Sequence, residues 1–468
     1  MLAIEATAAK ALAPAALPAT LDISIDSRTL VPGQTYLALR GESFDGHAFV
    51  ADALAAGAVA LVVSERRSVP AGIPALVVAS TGAALLTLGG VARSQSAAKV
   101  AAITGSAGKT TTKALLAHVL ERAGRGPVRA TPANENNEIG VAKLLLGIAR
   151  DTAFVVAELG ARHTGDIAPL AAAARPDVAV LTNLGEAHLE IFGSHAALAE
   201  TKWAIFGTGA RPVLNAADAT SRKRAASLAR PVIWFAADDA RAETVPSGDG
   251  FVAIREAENG YVLVVRGAHD AREMVFPCAI GLAGTHNLAN LAAAAAAAIA
   301  LGIAPATIAA ACAGATLPQG RYERIELDEF ALIYDAYNAS TSGMLATLAS
   351  FARERAVRRI AVLGSMAELG DDAAAMHARV GAAAARSTLD ALLVGGDFAE
   401  DLGRGARAAG FAEDRIVRFS SNDDVIAWLV HNARTGDLVL LKASRRYKLE
   451  EIVEGLRTER GRTAPTHG

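Results

Sequence analysis

Short apolar runs alternate with helix-patterned stretches along most of this chain, and that rhythm predicts an α/β fold. Lys99–Ile103, Ala153–Ala157 and Asp177–Leu181 have the length and composition of buried strands. A helical pattern over Lys113–Arg122 follows the first of them. About residues 97–316 are therefore expected to form a central, mostly parallel sheet covered by helices. The rhythm returns in about residues 317–468, where Leu332–Tyr334, Arg359–Leu363, Ala391–Val394 and Leu438–Leu441 read as strands of a Rossmann-like α/β domain. Ahead of both, about residues 1–96 combine the strand-like Thr35–Leu39, a helical pattern over Phe49–Ala56 and the apolar run Ala58–Val63. These predict a small mixed α/β domain. Three domains suit a chain of 468 residues.

The junction between the first central strand and its helix carries the chemistry. Thr104-Gly-Ser-Ala-Gly-Lys-Thr-Thr-Thr112 places a glycine turn at a helix N-terminus. Backbone N–H groups and the helix dipole there favour anionic phosphate oxygens, and Lys109 adds a point charge. Thr110 follows the lysine, where a hydroxyl can ligate Mg²⁺. The strict G-x-x-x-x-G-K-[ST] pattern is not met, because its first glycine falls on Ile103. Gly105, Ser106, Ala107, Gly108, Lys109, Thr110 and Thr111 are the expected phosphate-binding residues. The plainer alternative is a glycine turn with an exposed lysine. Glu158 and Thr182–His188 fall at the carboxyl ends of neighbouring strands, where ligands collect in such sheets. A lone Glu or His is most often structural, but beside a phosphate loop the pair predicts a metal–phosphate site.

Composition narrows the class. Hydrophobic residues make up 52% of the chain and charged residues 20%, with a formal net charge of −2. That balance fits a soluble globular protein and argues against a nucleic-acid binder, which needs a basic surface. Leu288–Leu301 is the longest apolar stretch, but it is alanine-rich, broken by Asn290 and shorter than the roughly 20 residues a bilayer requires. It predicts a packed helix and no membrane insertion. The N-terminus lacks the charged region and leucine-rich core of a secretory signal. Two cysteines, Cys278 and Cys312, support neither a disulfide framework nor a thiolate metal site, so a cytoplasmic protein is expected.

Taken in order, these motifs resemble the Mur ligase family of ATP-dependent amide-bond-forming enzymes, through all three segments. The resemblance implies ATP and Mg²⁺ as cofactors, with Lys109 on the phosphates, Glu158 on the metal and His188 on a second metal. Lys202 falls where the family often has a carbamylated lysine, whose carbamate supplies the anionic oxygens an ammonium lacks. The alternative is an unmodified Lys202 touching a phosphate. Lys109, His188 and Lys202 are thus the implied catalytic residues. Gly284-Thr-His-Asn-Leu-Ala-Asn290 resembles the family's G-x-H-N-x-x-N motif, implying that His286, Asn287 and Asn290 lie near the adenine. Arg321 matches a nucleotide-contacting arginine and Asp335 an aspartate on the ATP ribose.

Asp26-Ser-Arg28 and Asp45-Gly-His47 resemble the family's UDP-sugar domain, which implies Ser27, Arg28, Asp45, Gly46 and His47 as substrate contacts. Asn134-Glu-Asn-Asn-Glu-Ile-Gly140, Tyr334–Ala339 and Gly364–Gly370 with His377 are similar to one branch of the family. Its members join D-Ala-D-Ala to UDP-N-acetylmuramoyl-tripeptide through an acyl phosphate, and Asn136, Asn137, Tyr337 and Asn338 would then contact substrate. The Asp-Asn-Pro-Arg motif of the ligase that adds the third residue is absent. Folylpolyglutamate synthases lack a UDP-binding domain ahead of the loop, whereas this chain has about a hundred residues there. Three positions depart from the branch pattern: Ser365 stands for aspartate, Ser340-Thr341 for Asn-Pro, and Ala443 for the glycine of Lys-Gly-Ser-Arg. They leave ATP chemistry untouched and leave open a looser amine pocket or a family member with another amine substrate; a non-catalytic nucleotide-binding paralogue is a separate alternative. A monomer is expected.

Overall fold

Each segment of the chain builds its own sheet from the apolar runs its sequence supplies. The protein's structure, a computed structural model, describes residues 2–41, 43–185, 189–238, 245–246, 249–267 and 272–463. Among these, the first sheet has five strands in the order Lys10–Leu12, Ala75–Val77, Ala60–Val63, Thr35–Leu37 and Ile23–Ser24. All its neighbours are parallel except the Lys10–Leu12 edge. Helix Val50–Ala55 is shorter than the sequence pattern suggested, since Gly46–Phe49 forms a tight 3₁₀ turn ahead of it.

The middle sheet is mostly parallel, as the sequence predicts. Strand Lys99–Thr104 lies inside it, third from one edge, between Val178–Leu181 and Phe154–Glu158, with both pairings parallel. Residues Val100–Ile103 are fully buried because both sheet faces are covered. Helix Lys109–Arg122 follows and buries Leu115, Leu116, Val119 and Leu120, one face of a 3.6-residue period. Helix Thr285–Ala300 packs against it, and Ala292–Ala298 lose all exposure. Alanine allows this: it has the best helix propensity, and its methyl lets neighbours approach from every side.

One feature of this sheet has no counterpart in the sequence reading. Gly250–Ala257, Gly260–Arg266 and Glu273–Cys278 extend it as an antiparallel meander. The signal was the alternating run after Asn259-Gly260, a pair favoured in hairpin turns.

The last sheet has six strands, ordered Glu323–Glu326, Ala331–Tyr334, Leu438–Lys442, Arg359–Leu363, Ala391–Gly395 and Ile416–Phe419. Only the first pairing is antiparallel. The carboxyl ends of its strands face those of the middle sheet across a shared cavity. Among the described residues no helix is long and apolar enough to cross a membrane.

Candidate active site

The phosphate loop is shaped by two close approaches. Gly105 has φ +150°, and a Cβ there would sit 1.9 Å from Thr182 Oγ1. Gly108 has φ +79°, and its Cβ would fall 2.3 Å from Asn290 Oδ1. Only glycine fits both places. Ile103, where the strict pattern has its first glycine, is instead a strand residue paired with Glu158 and Val180. The turn simply begins two residues later.

A second strand end holds the loop from outside. Asn183 Oδ1 accepts from Ser106 N at 3.1 Å and Ala107 N at 2.9 Å. Thr182 Oγ1 donates to Ala107 O, and Gly185 N donates to Ser106 Oγ. The sequence places Asn183 in a strand-end stretch but gives it no role, since only the fold brings residue 183 against residue 106. Lys109 Nζ folds back to donate to Gly105 O at 2.8 Å. Enclosure lowers its pKa, Glu158 opposes that shift and Arg321 adds to it.

Glu158 ends its strand beside this loop and is 1% exposed. Its Oε1 accepts from Thr110 Oγ1 at 3.1 Å and from Asn136 Nδ2 at 2.9 Å. Its Oε2 is buried without a hydrogen bond; only the Lys113 ammonium faces it, 3.4 Å away, while donating to Ala133 O. An orphaned carboxylate oxygen next to a threonine hydroxyl is a donor set that suits hard Mg²⁺. Asn136 therefore braces this carboxylate, and Asn137 caps helix Glu138–Leu146 through Gly140 N. Neither lines the cavity.

Lys202 sits in helix His195–Trp203, which Ser194 caps. It is 1% exposed, with its Nζ 6.0 Å from the centre of the Phe192 ring. Burial, with help from the Lys109 charge, lowers its pKa to about 7. Among the described residues no carboxylate pairs with it, and no cluster of three or more His, Cys, Asp or Glu is placed to hold a metal. His188, expected at the second metal, lies outside the described residues.

The C-terminal unit supplies the opposite wall. Arg321 stacks over the Tyr337 ring at 4.1 Å, and its Nε is buried without a partner. Asp335 accepts from Thr347 Oγ1 at 2.6 Å, from Tyr322 N at 3.2 Å and from Lys442 Nζ at 2.7 Å. Burial pushes the Asp335 pKa up, but Lys442, His286 and these hydrogen bonds outweigh it and hold the carboxyl below its usual range. The two walls enclose about 700 Å³. Every residue expected at the nucleotide lines this cavity except Gly105, whose role is the turn. Tyr337 and Asn338 line it too.

The departures from the branch pattern divide. Ser365 is fully buried; its Oγ accepts from Phe398 N at 2.8 Å and its carbonyl from Ser444 N at 3.1 Å. It ties strand ends together and does not line the cavity, so it does not loosen a pocket there. Ala443 is likewise fully buried. Ser340 does line the cavity while capping helix Thr341–Phe351. His377 fixes the Gly364–Gly370 loop. Its Nε2 accepts from Met366 N at 2.8 Å, so Nδ1 carries the proton and donates to Ala373 O.

A second cavity of about 670 Å³ opens in the first unit, lined by Asp26, Ser27, Arg28 and Gly46 and by half-exposed Phe44 and Phe49. Arg28 pairs with Asp26 at 2.6 Å and holds its carboxyl down at about 2. The two phenylalanines were not foreseen; their place on either side of Asp45-Gly-His47 was the signal. Asp45 and His47 do not face this cavity. His47 Nδ1 meets Asp45 Oδ1 at 2.6 Å, and its Nε2 accepts from Ser64 N, so the pair braces the loop.

A phosphate loop beneath a buried carboxylate, faced by a second α/β unit with an unpartnered arginine, defines a nucleotide-phosphate-handling protein. Comparison with known proteins carries this further. Family profiles described as Mur ligase family, catalytic domain, Mur ligase middle domain and Mur ligase, glutamate ligase domain match residues 22–104, 103–298 and 320–445. A UDP-N-acetylmuramoyl-tripeptide–D-alanyl-D-alanine ligase from Synechocystis sp. is 35% identical over 94% of this chain and 92% of its own. The crystal structure of MurF from Acinetobacter baumannii superposes with a TM-score of 0.83 at 30% identity, covering 98% of both chains. MurF ligase from Thermotoga maritima, solved with ADP, gives a TM-score of 0.79 at 27% identity, over 95% of this chain and 99% of that one. The chain belongs to the Mur ligase family, whose members are ATP-dependent, ADP-forming peptide ligases.

The buried histidines set one measurable property. Burial depresses His286 from 6.5 to about 4 and lowers His377 as well, so both are neutral at pH 7. Below about 6.5 the unfolded chain takes up protons that folded His286 refuses until about 4, so stability falls as pH drops through that window. The expected slope is up to about 1.4 kcal/mol per pH unit for such a group. Thermal unfolding between about pH 7.5 and pH 5 checks it: His286→Gln should lose less stability on acidification than the parent.

Proposed function

We propose that this protein joins D-Ala-D-Ala to UDP-N-acetylmuramoyl-tripeptide, with ATP, in the synthesis of the peptidoglycan precursor. The carrying observation is the shared cavity, where the phosphate loop, Arg321 and Asp335 meet across two units while a separate aromatic cavity lies in the first. The names of the full-length relatives supply the substrates. We assign residues 1–96 to the UDP-sugar, 97–316 to ATP and 317–468 to the incoming amine. ATP and a UDP-linked substrate place this reaction in the cytoplasm.

A free carboxylate does not accept an amine, so the tripeptide's terminal carboxylate first takes the γ-phosphoryl group of ATP. The amine of D-Ala-D-Ala then attacks the acyl phosphate, and phosphate leaves. The protein supplies position and charge. Lys109, the loop amides and Arg321 hold the phosphoryl oxygens. Arg321 reaches the cavity from the C-terminal unit, so closing that unit completes the site and excludes water from the acyl phosphate. Thr110 and Glu158 would hold Mg²⁺, which supplies charge neutralisation when bound. A carbamate on Lys202, with His188, would serve a second ion. The support is burial: an ammonium this enclosed, with no carboxylate partner among the described residues, is costly, and the carbamate turns it into an oxygen donor.

Lys109→Ala should abolish phosphate release dependent on UDP-tripeptide and dipeptide, by at least roughly a hundredfold, while circular dichroism shows an intact fold. Near-normal turnover by the folded variant would remove this loop from the reaction. Lys202→Ala should be nearly inactive and partly restored by acetate or formate, which can occupy the vacated space; full activity without them would rule the metal role out. Across amine substrates, kcat/KM should be highest for D-Ala-D-Ala. Single amino acids, which lack the dipeptide's peptide group and distant carboxylate, should fall at least roughly ten- to a hundredfold below it, the worth of one lost hydrogen bond to a buried group. A preference for one free amino acid over every dipeptide would move the chain to another branch of the family.

A further inference from the structure

The proposed amine substrate carries a carboxylate at its far end, and desolvating that charge in a cavity demands a cation. Among the described residues, five cationic side chains line the shared cavity: Lys109, Arg162, Arg321, Lys442 and Arg445. Lys109 lies on the phosphate loop, donating to Gly105 O. Arg321 is stacked on Tyr337 and near enough to Lys109 to lower its pKa, which puts it at the phosphates. Lys442 is held 2.7 Å from Asp335. Arg162 belongs to the middle unit, four residues beyond Glu158, on the wall assigned above to ATP. Arg445 remains.

Arg445 stands three residues past Lys442, at the open end of strand Leu438–Lys442, where the turn Arg445–Tyr447 begins. Its guanidinium meets Glu450 Oε1 at 3.1 Å, and Glu450 Oε2 accepts from the Tyr334 hydroxyl at 3.2 Å. Contacts to Glu450 and to the Tyr334 hydroxyl orient the planar fork, and the side chain stays 60% exposed, so further N–H groups are available to a second carboxylate. Ser444 lines the cavity beside it.

We propose that Arg445 anchors the C-terminal carboxylate of the incoming dipeptide, with Glu450 and Tyr334 as positioning residues behind it. The inference rests on the proposed ligation of a dipeptide and adds the residue that recognises its charged end. Lys442, on Asp335, and Arg445 then divide the work of one strand end: one keeps the cavity wall together, the other selects an acid.

The test compares D-Ala-D-Ala with its C-terminal amide, on the full-length protein with ATP and UDP-tripeptide. The wild type should show a KM roughly ten- to a hundredfold higher for the amide than for the acid. Arg445→Ala should raise the KM for the acid to the same degree, treat acid and amide alike, and keep the KM for ATP. Arg445→Lys should recover part of the preference. Glu450→Gln, which leaves the arginine but removes its carboxylate brace, should show a smaller loss of the same preference, and it carries the test should R445A fail to fold. An R445A or E450Q protein that keeps the full wild-type preference for acid over amide overturns the assignment. A wild type that ligates neither dipeptide overturns the proposed reaction, and this assignment with it.

Discussion

The pinning of the phosphate loop by a neighbouring strand end is the contact on which the rest of the site depends. A glycine turn alone is soft, because glycine gives the backbone freedom as well as reach. Here Asn183, Thr182 and Gly185 hold the amides, carbonyl and hydroxyl of Ser106 and Ala107, so the turn has one shape. From that shape follow the start of helix Lys109–Arg122, the position of Thr110 against Glu158, and the contact of Gly108 with Asn290. Parallel pairing of three adjacent strands brings all these groups to one edge.

The two facing sheets contribute unequal parts. The middle unit holds phosphate chemistry on a rigid frame of buried strands. The C-terminal unit contributes Arg321, whose Nε has no hydrogen-bond partner among the described residues, and Asp335, which Lys442 and Thr347 keep ionised. A buried donor left without a partner is costly unless a ligand meets it. Among the described residues, Glu158 Oε2 beside the loop and Arg321 Nε on the facing unit are both buried without a hydrogen bond, and their groups carry opposite charge.

What was legible in the sequence was local. Buried strands, the glycine turn and the alanine-rich helix declare themselves within a few residues, so their placement needs no tertiary information. The roles of polar residues do not. Asn136 and Asn137 sit in one motif, yet one braces Glu158 and the other caps a helix. Asp45 and His47 belong to a polar loop that resembles a sugar site, yet they hold each other and Ser64. Ser365 replaces an aspartate in a loop near the cavity, and only the backbone groups around it show that it serves the fold. For Asn136, His47 and Ser365 the deciding partner lies on another element, 22, 17 and 33 residues away.

The alanine-rich helix has a consequence of its own. Ala292–Ala298 are fully enclosed, so each methyl group already fills the space open to it. Larger side chains would overpack the core at about 1–3 kcal/mol each, and glycine would weaken the helix by about 1 kcal/mol. The stretch is thus an evolutionary bottleneck: seven consecutive positions where drift meets a steric wall on one side and a conformational one on the other. Low complexity here records a tight steric constraint, in a segment that a compositional glance would take for filler.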